Sequence, residues 1–338
     1  MHSEHIRVVR QIDGTNPQPA QRLKWEQVED YCRKQLALGQ RVYAVYEAGA
    51  FGFGLQRTLS ALGVTCYVMH PVKLDPRHRG VQTDKTDACE LCQRLGRYVA
   101  GNTKAMAVVH VPTLAEENQR LQARHRRHLK KEQQRLQAHG RGLLLFQGIR
   151  QAGAWWRPKV WAALAPALSP ELRAGLADDR ALIQEYEQRL KPVEKELMAS
   201  APKQRPLGMG ALTLALLCRE LLNWQRFKSR RGVAGYLGLG GGVSSSGPRH
   251  CELGITKAGN AYVRTLLVEL AWRMVYYQPG YKAVQKWQSI LGAGQSRPRQ
   301  RKRAIVALSR QLAVDLWKWQ TGRVTAQELG WVETTVDA

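Results

Sequence analysis

Acidic residues are what this chain is short of. Its 338 residues carry 27 Asp and Glu against 52 Lys and Arg, a formal charge of +25. Such an excess repels itself unless a polyanion neutralises it, so nucleic acid is the expected partner. Long apolar runs are missing too. No stretch approaches the roughly 18–20 residues that cross a bilayer, so a membrane is not expected as a partner. The opening Met1-His2-Ser3-Glu4-His5 is polar, and no secretory leader is expected. Cysteine is sparse and scattered: Cys32, Cys66, Cys89, Cys92, Cys218 and Cys251. Cys89-Glu90-Leu91-Cys92 has no second pair to complete a four-ligand zinc site. The two thiols are expected to face a core, in a reducing cytosol. What remains is 44% hydrophobic, enough for a globular chain of two or three domains.

Strands and helices alternate over residues 1–112. Strands are expected at 6–13, 41–47, 64–69 and 107–111, and helices at 24–38, at 51–62 and from Asp84 to about Val99. This is an α/β layer. From Thr113 the composition changes. Residues 113–147 are almost free of β-branched side chains and proline, and Leu114, Leu121, Leu129 and Leu136 recur near heptad spacing. A long helix is expected there, and a second over 179–199 with a kink at Pro192. Residues 150–178 read as a connection with short helices. Residues 201–338 read as mainly helical, with a flexible Ser/Gly loop near 240–247. The expected class is therefore α/β plus all-α, in three parts: 1–112, 113–200 and 201–338.

Two constellations stand out. Gln82-Thr83-Asp84-Lys85-Thr86-Asp87-Ala88 opens a helix, with Thr83 as N-cap and Asp84 and Asp87 on its first turns. Glu47 ends the strand before a glycine-rich turn at Gly49, Gly52 and Gly54. A strand-end carboxylate facing such a pair suits Mg²⁺, which takes hard oxygen ligands and leaves positions open for phosphate. The plain alternative is a capping acid and a solvated one. The second constellation is Ser244-Ser245-Ser246-Gly247, followed by Thr256-Lys257-Ala258-Gly259-Asn260 and Arg264. A serine beside glycine near Lys257 and Arg264 can be a nucleophile, or the stretch can be a polar loop. Cations cluster on the first long helix at Arg124, Arg126, Arg127, Lys130 and Lys131, and again at Arg301, Lys302 and Arg303. Each group reads as a solvated face and as a phosphate rail. Arginines flanking His125 and His128 argue against a metal there.

In this order the motifs resemble the insertion-sequence transposases with a RuvC-like DEDD domain, a coiled coil and a C-terminal serine domain. These are the bridge-RNA-guided recombinases, related to the Piv-type DNA invertases. The stretches that carry the resemblance are Tyr46-Glu47-Ala48-Gly49, Thr83-Asp84-Lys85-Thr86-Asp87-Ala88, Gly208-Met209-Gly210, Arg226-Phe227, Gly238-Leu239, Ser245-Ser246-Gly247 and Thr256-Lys257-Ala258-Gly259-Asn260 with Arg264. The resemblance implies a RuvC/RNase H-like α/β domain, a helical coiled-coil segment and a mainly helical serine domain. It implies Mg²⁺ held by Glu47, Asp84 and Asp87, and Ser246 as catalytic nucleophile in DNA strand exchange. It also implies a structured guide RNA, a homodimer or homotetramer, and a prokaryotic cytoplasmic, nucleoid-associated setting. The first acid of the quartet has no match. Asp13 and Glu4 are poor substitutes, so the first strand is expected to be missing from the chain. A hydrolytic RuvC-type nuclease and a catalytically impaired nucleic-acid binder are the alternative readings.

Overall fold

The computed structural model describes residues 4–39, 41–71, 83–151, 153–246, 249–292 and 296–335. The basic loop through Lys73, Arg77, His78 and Arg79, together with Gln82 and Gly247, lies outside the described residues. The chain divides into two compact units, Met1–Thr113 and Leu114–Ala338.

The first unit is built on two short ladders. β1 (His5–Val8) pairs antiparallel with β2 (Gln21–Lys24). β3 (Tyr43–Glu47) pairs parallel with β4 (Thr65–Met69), in register from Tyr43 opposite Thr65 to Glu47 opposite Met69. Parallel neighbours need a crossover, and α2 (Gly54–Ala61) supplies it. α1 (Val28–Leu38) precedes β3, and α3 (Asp84–Val99) packs against it. The strand expected at 107–111 shrinks to a bridge between Met69 and Val108, flanked by bonds from His70 N to Ala107 O and from Val109 N to Val68 O. β2 was not expected: Gln21-Arg22-Leu23-Lys24 has one apolar residue and no alternation to announce it. The core is Ile6, Val28, Tyr46, Leu59, Val64, Cys66 and Val68. The class is mixed α/β. The described ladders have two strands each, and the RuvC-like architecture goes further than they do.

The second unit is helical and deep. α4 (Leu114–Phe146) and α6 (Pro170–Ala199) lie side by side, joined through α5 (Pro158–Leu164). Contacts of Arg126 with Glu194 and of His139 with Asp179 set them antiparallel. α6 begins earlier than expected because Ser169 caps it and Pro170 occupies its first turn, where a proline needs no donor. It runs through Pro192. Half of the heptad leucines turn inward: Leu129 and Leu136 are buried, whereas Leu114 and Leu121 are exposed. Trp155 is sealed against α4 at Gly140, where a Cβ would stand 2.1 Å from the indole.

Beyond α6 the core is formed by α7 (Ala211–Leu221), α8 (Arg230–Tyr236), α9 (Ala261–Tyr277) and α12 (Pro298–Gln320), with the short α10 (Lys282–Lys286), α11 (Gln288–Leu291) and α13 (Ala326–Leu329) around them. The residues expected inward on α9, namely Val263, Leu266, Leu267, Leu270 and Ala271, are buried. β5 (Gln204–Pro206) pairs with β8 (Glu333–Thr335). The stretch expected as a Ser/Gly loop is a hairpin instead: β6 (Gly241–Ser246) pairs antiparallel with β7 (Arg249–Ile255). Glycine and serine have low intrinsic strand propensity, and cross-strand bonding overrides it here. Among the described residues, no helix is long and apolar enough to cross a membrane.

Candidate functional site

In the first unit Glu47, at the end of β3, lies within electrostatic reach of Asp87 on α3. Tyr46 Oη donates to Gly52 O at 3.0 Å, and Ala48 N donates to Met69 O at 2.8 Å. These bonds fix the turn on either side of Glu47. Thr83 caps α3 as expected: Thr83 Oγ1 accepts from Thr86 N, and Thr86 Oγ1 accepts from Thr83 N at 3.0 Å. The first turn of α3 therefore presents Asp84 and Asp87 where the helix dipole favours negative charge. Asp87 is half-buried on the side of Glu47, whereas Asp84 is exposed. Burial first, and then the charge of Asp87, push the Glu47 carboxyl above the ordinary range, with Arg94 opposing them. Arg94 is itself bound to Glu90 at 2.8 Å.

Glu47 Oε1 is buried without a hydrogen-bond partner. An unpaired, desolvated carboxylate oxygen beside a second carboxylate is unfavourable by itself and becomes favourable when a cation bridges the two. The donor set is all oxygen, which suits a hard divalent ion held through one or two carboxylates plus phosphate. Among the described residues no three His, Cys, Asp or Glu side chains converge, so the structure brings Glu47 and Asp87 together and does not add Asp84 as a third. Cys89 and Cys92 are half-buried, and burial raises the Cys92 thiol. A thiol held protonated is a poor metal ligand.

In the second unit Ser246 is the last residue of β6, with Arg249 opposite it in register and His250 opposite Ser245. The Ser246 side chain lies outside what is described. The root of the hairpin is tightly held. Arg264 Nη1 donates to Leu237 O at 2.8 Å and to Lys257 O at 3.3 Å. Asn260 caps α9, accepting from Tyr262 N and Val263 N, and its Nδ2 donates to the buried Glu220 at 3.0 Å. A Cβ on Gly259 would lie 2.5 Å from both Gly238 N and Tyr236 O. Arg264, Asn260 and Gly259 thus lock the loop that carries the hairpin onto α8. Arg264 serves the backbone at this point, while Lys257 keeps its side chain toward a cavity beside the hairpin.

The expected rail on α4 is largely engaged within the protein. Arg126 bonds Glu194 at 2.7 Å, Arg127 lies 4.5 Å from the Tyr262 ring centre, Lys130 donates to Gln133 at 2.8 Å, and Arg124 stands 3.9 Å from Glu220. Lys131 is exposed. Arg301 sits 5.8 Å from the Trp272 ring centre, while Lys302 and Arg303 face the same cavity as Lys257. Of the other cations of that cavity, Arg299 belongs to the same basic run as Arg301, Lys302 and Arg303, whereas Arg230, Arg231, Lys286, Arg310 and Lys318 come from separate segments and were not singled out by sequence reasoning.

Known proteins share this chain's pattern. The model of the Transposase IS116/IS110/IS902 family matches residues 205–286, the stretch that holds the hairpin and its lock. The inferred transposase y4rJ of Sinorhizobium fredii is 30% identical over 310 residues, covering 84% of this chain and 78% of its own. The transposase for insertion sequence element IS1111A of Coxiella burnetii is 25% identical over 281 residues, covering 80% of this chain and 75% of its own. An inferred family 20 transposase of Pseudomonas aeruginosa is 27% identical over 271 residues, covering 75% of this chain and 76% of its own.

Proposed function

This chain belongs to the IS116/IS110/IS902 family of insertion-sequence transposases, and on that premise we propose that it cuts and rejoins DNA through a covalent phosphoserine. Glu47 and Asp87 would hold Mg²⁺, with Asp84 at the rim of the site and the scissile phosphate completing the ligand set. The ion would neutralise charge that develops on the phosphoryl oxygens. The observation that carries the reading is the buried, unpartnered Oε1 of Glu47 beside Asp87. In the proposed step Ser246 Oγ attacks phosphorus and loses its proton to solvent. The bond from phosphorus to the leaving deoxyribose oxygen breaks, and that oxygen departs as a hydroxyl. One phosphodiester replaces another, so the reverse attack by a new hydroxyl rejoins the strand and frees the serine. In the RuvC-like reading the acids sit on an RNase H-like sheet. Target choice would come from pairing with a structured guide RNA held by its backbone, within a homodimer or homotetramer.

The test is a denaturing gel of the full chain with labelled DNA ends and Mg²⁺. A protein–DNA adduct should form and should vanish in Ser246→Ala. An adduct that survives the substitution would sink the serine role. Hydrolysis by water at the same acid pair predicts free ends and no adduct in either protein. A binder without chemistry predicts DNA binding that is unaffected by Asp87→Ala.

A further inference from the structure

Among the described residues of the second unit, a second group of cations lines a cavity rather than the long helix. A hollow of about 1120 Å³ opens between α8, the root of the β6–β7 hairpin, α10 and α12. Among the described residues nine Lys and Arg line it, and no carboxylate does. Six of the nine carry no role so far: Arg230, Arg231, Lys286, Arg299, Arg310 and Lys318. Its floor is apolar, with Leu239, Leu253, Ile255, Val306 and Val314. Trp287 adds a half-buried indole to the wall, 5.9 Å from the Lys286 ammonium.

α12 makes the arrangement costlier for the protein alone. Its first turn holds no acid, and Arg299, Arg301, Lys302 and Arg303 crowd the end where the helix dipole already repels cations. Lys318 has the buried Asp315 beside it, but among the described residues no acid lines the cavity near the start of α12, so a polyanion bound there would relieve both the dipole and the mutual repulsion.

We propose that the cavity is a channel for a single DNA strand, with phosphates on the cationic rim and bases over the apolar floor and Trp287. A duplex keeps its base faces stacked inside and would leave the apolar floor unused, whereas an unpaired strand offers bases to stack and bury. The volume exceeds that of most small-ligand pockets. Gly241 and Ile255, which pair at the hairpin root, line the channel. Ser246 lies five residues along β6, roughly 17 Å away at the rise of an antiparallel strand. The channel therefore leads an unpaired strand toward the residue proposed as nucleophile, and in that respect it rests on the reading above.

The experiment measures equilibrium binding of the full chain to a fluorescein-labelled oligothymidylate over a salt series, without Mg²⁺. Lys286→Gln/Arg299→Gln/Arg310→Gln should weaken binding at least about tenfold at low salt and reduce the salt slope by about 2, three phosphates at about 0.7 each. Its thermal midpoint should stay level or rise, because a cation leaves the start of α12. A matched triple on α6, Arg173→Gln/Lys191→Gln/Lys195→Gln, should change affinity less than twofold. An unchanged slope in the first triple overturns the proposal. So does a lowered midpoint accompanying the loss, tighter binding of a duplex of equal length, or tighter binding of oligouridylate. Survival of the covalent adduct in Ser246→Ala with strand binding intact would remove the serine reading and leave the channel standing.

Discussion

In the first unit Ile6, Val28, Tyr46, Leu59 and Val68 form a shell around two short ladders. In the second, Leu217, Val263, Leu267, Leu270, Leu308, Leu312 and Leu316 are sealed among four helices. The thin shell carries the acids and tolerates an unpartnered carboxylate oxygen at a strand end. The deep core carries the serine hairpin and the cationic channel, and it too buries polar atoms without hydrogen-bond partners, among them Glu220 Oε1 and the indole nitrogens of Trp224, Trp317 and Trp331, beside others that are fully paired. Tyr281 Oη donates to Asp315 at 2.6 Å, and Gln311 donates to the other oxygen of Asp315 at 2.9 Å. The comparison teaches where each kind of electrostatic tension is stored. Negative charge is drawn together in the first unit, at Glu47 and Asp87, and positive charge in the second, along the cavity wall.

The sharpest way to break this comparison is at the hairpin lock. Gly259→Ala would drive a methyl into Gly238 N and Tyr236 O, both backbone atoms that cannot swing aside. We expect a loss of about 3 kcal/mol in chemical denaturation, at the upper end for overpacking. A change below about 1 kcal/mol would mean that the loop yields and the serine hairpin is not rigidly mounted.

The acid pair is tested next. Mg²⁺ at a hundredfold excess over its dissociation constant should stabilise the wild-type chain by about 2.7 kcal/mol, read from the unfolding transition. Glu47→Gln should abolish that gain. pH gives an independent reading. The folded Glu47 carboxyl sits above its unfolded value, so the folded state binds more protons and stability falls as pH rises from the ordinary carboxylate range through the raised value. Without metal, Glu47→Gln should flatten this part of the pH profile. An equal Mg²⁺ effect in both proteins would show that the ion binds elsewhere.

The smallest expected effect sharpens the picture of the second unit. Tyr281→Phe removes the phenol that donates to buried Asp315 and should cost about 2 kcal/mol, as for an unsatisfied buried acceptor. Strand binding should not change. A loss of binding without a loss of stability would mean that the core and the channel are coupled.

Much of the secondary structure was legible locally. Thr83 and the acids that follow it announce α3 through capping chemistry, and the leucines at 266, 267 and 270 mark the inward face of α9 by helical spacing. The β6–β7 hairpin was not legible, because glycine and serine give no alternating apolar pattern. The α4 cations were legible as a run, but their engagement was not: the partners Glu194 and Glu220 lie far away in sequence.

The sequence by itself determined the excess of positive charge, the helical second half, the capped acidic helix start and the Glu47, Asp87 and Ser246 motifs. These depend on composition, on spacing within a few turns and on matched residue types. Only the tertiary structure decided that Glu47 Oε1 is buried without a hydrogen-bond partner, that Arg264 and Gly259 hold a hairpin rather than line a pocket, and which cations converge on one cavity. Desolvation and charge convergence are set by what packs alongside, and those neighbours come from elements tens of residues away, beyond the reach of any local pattern.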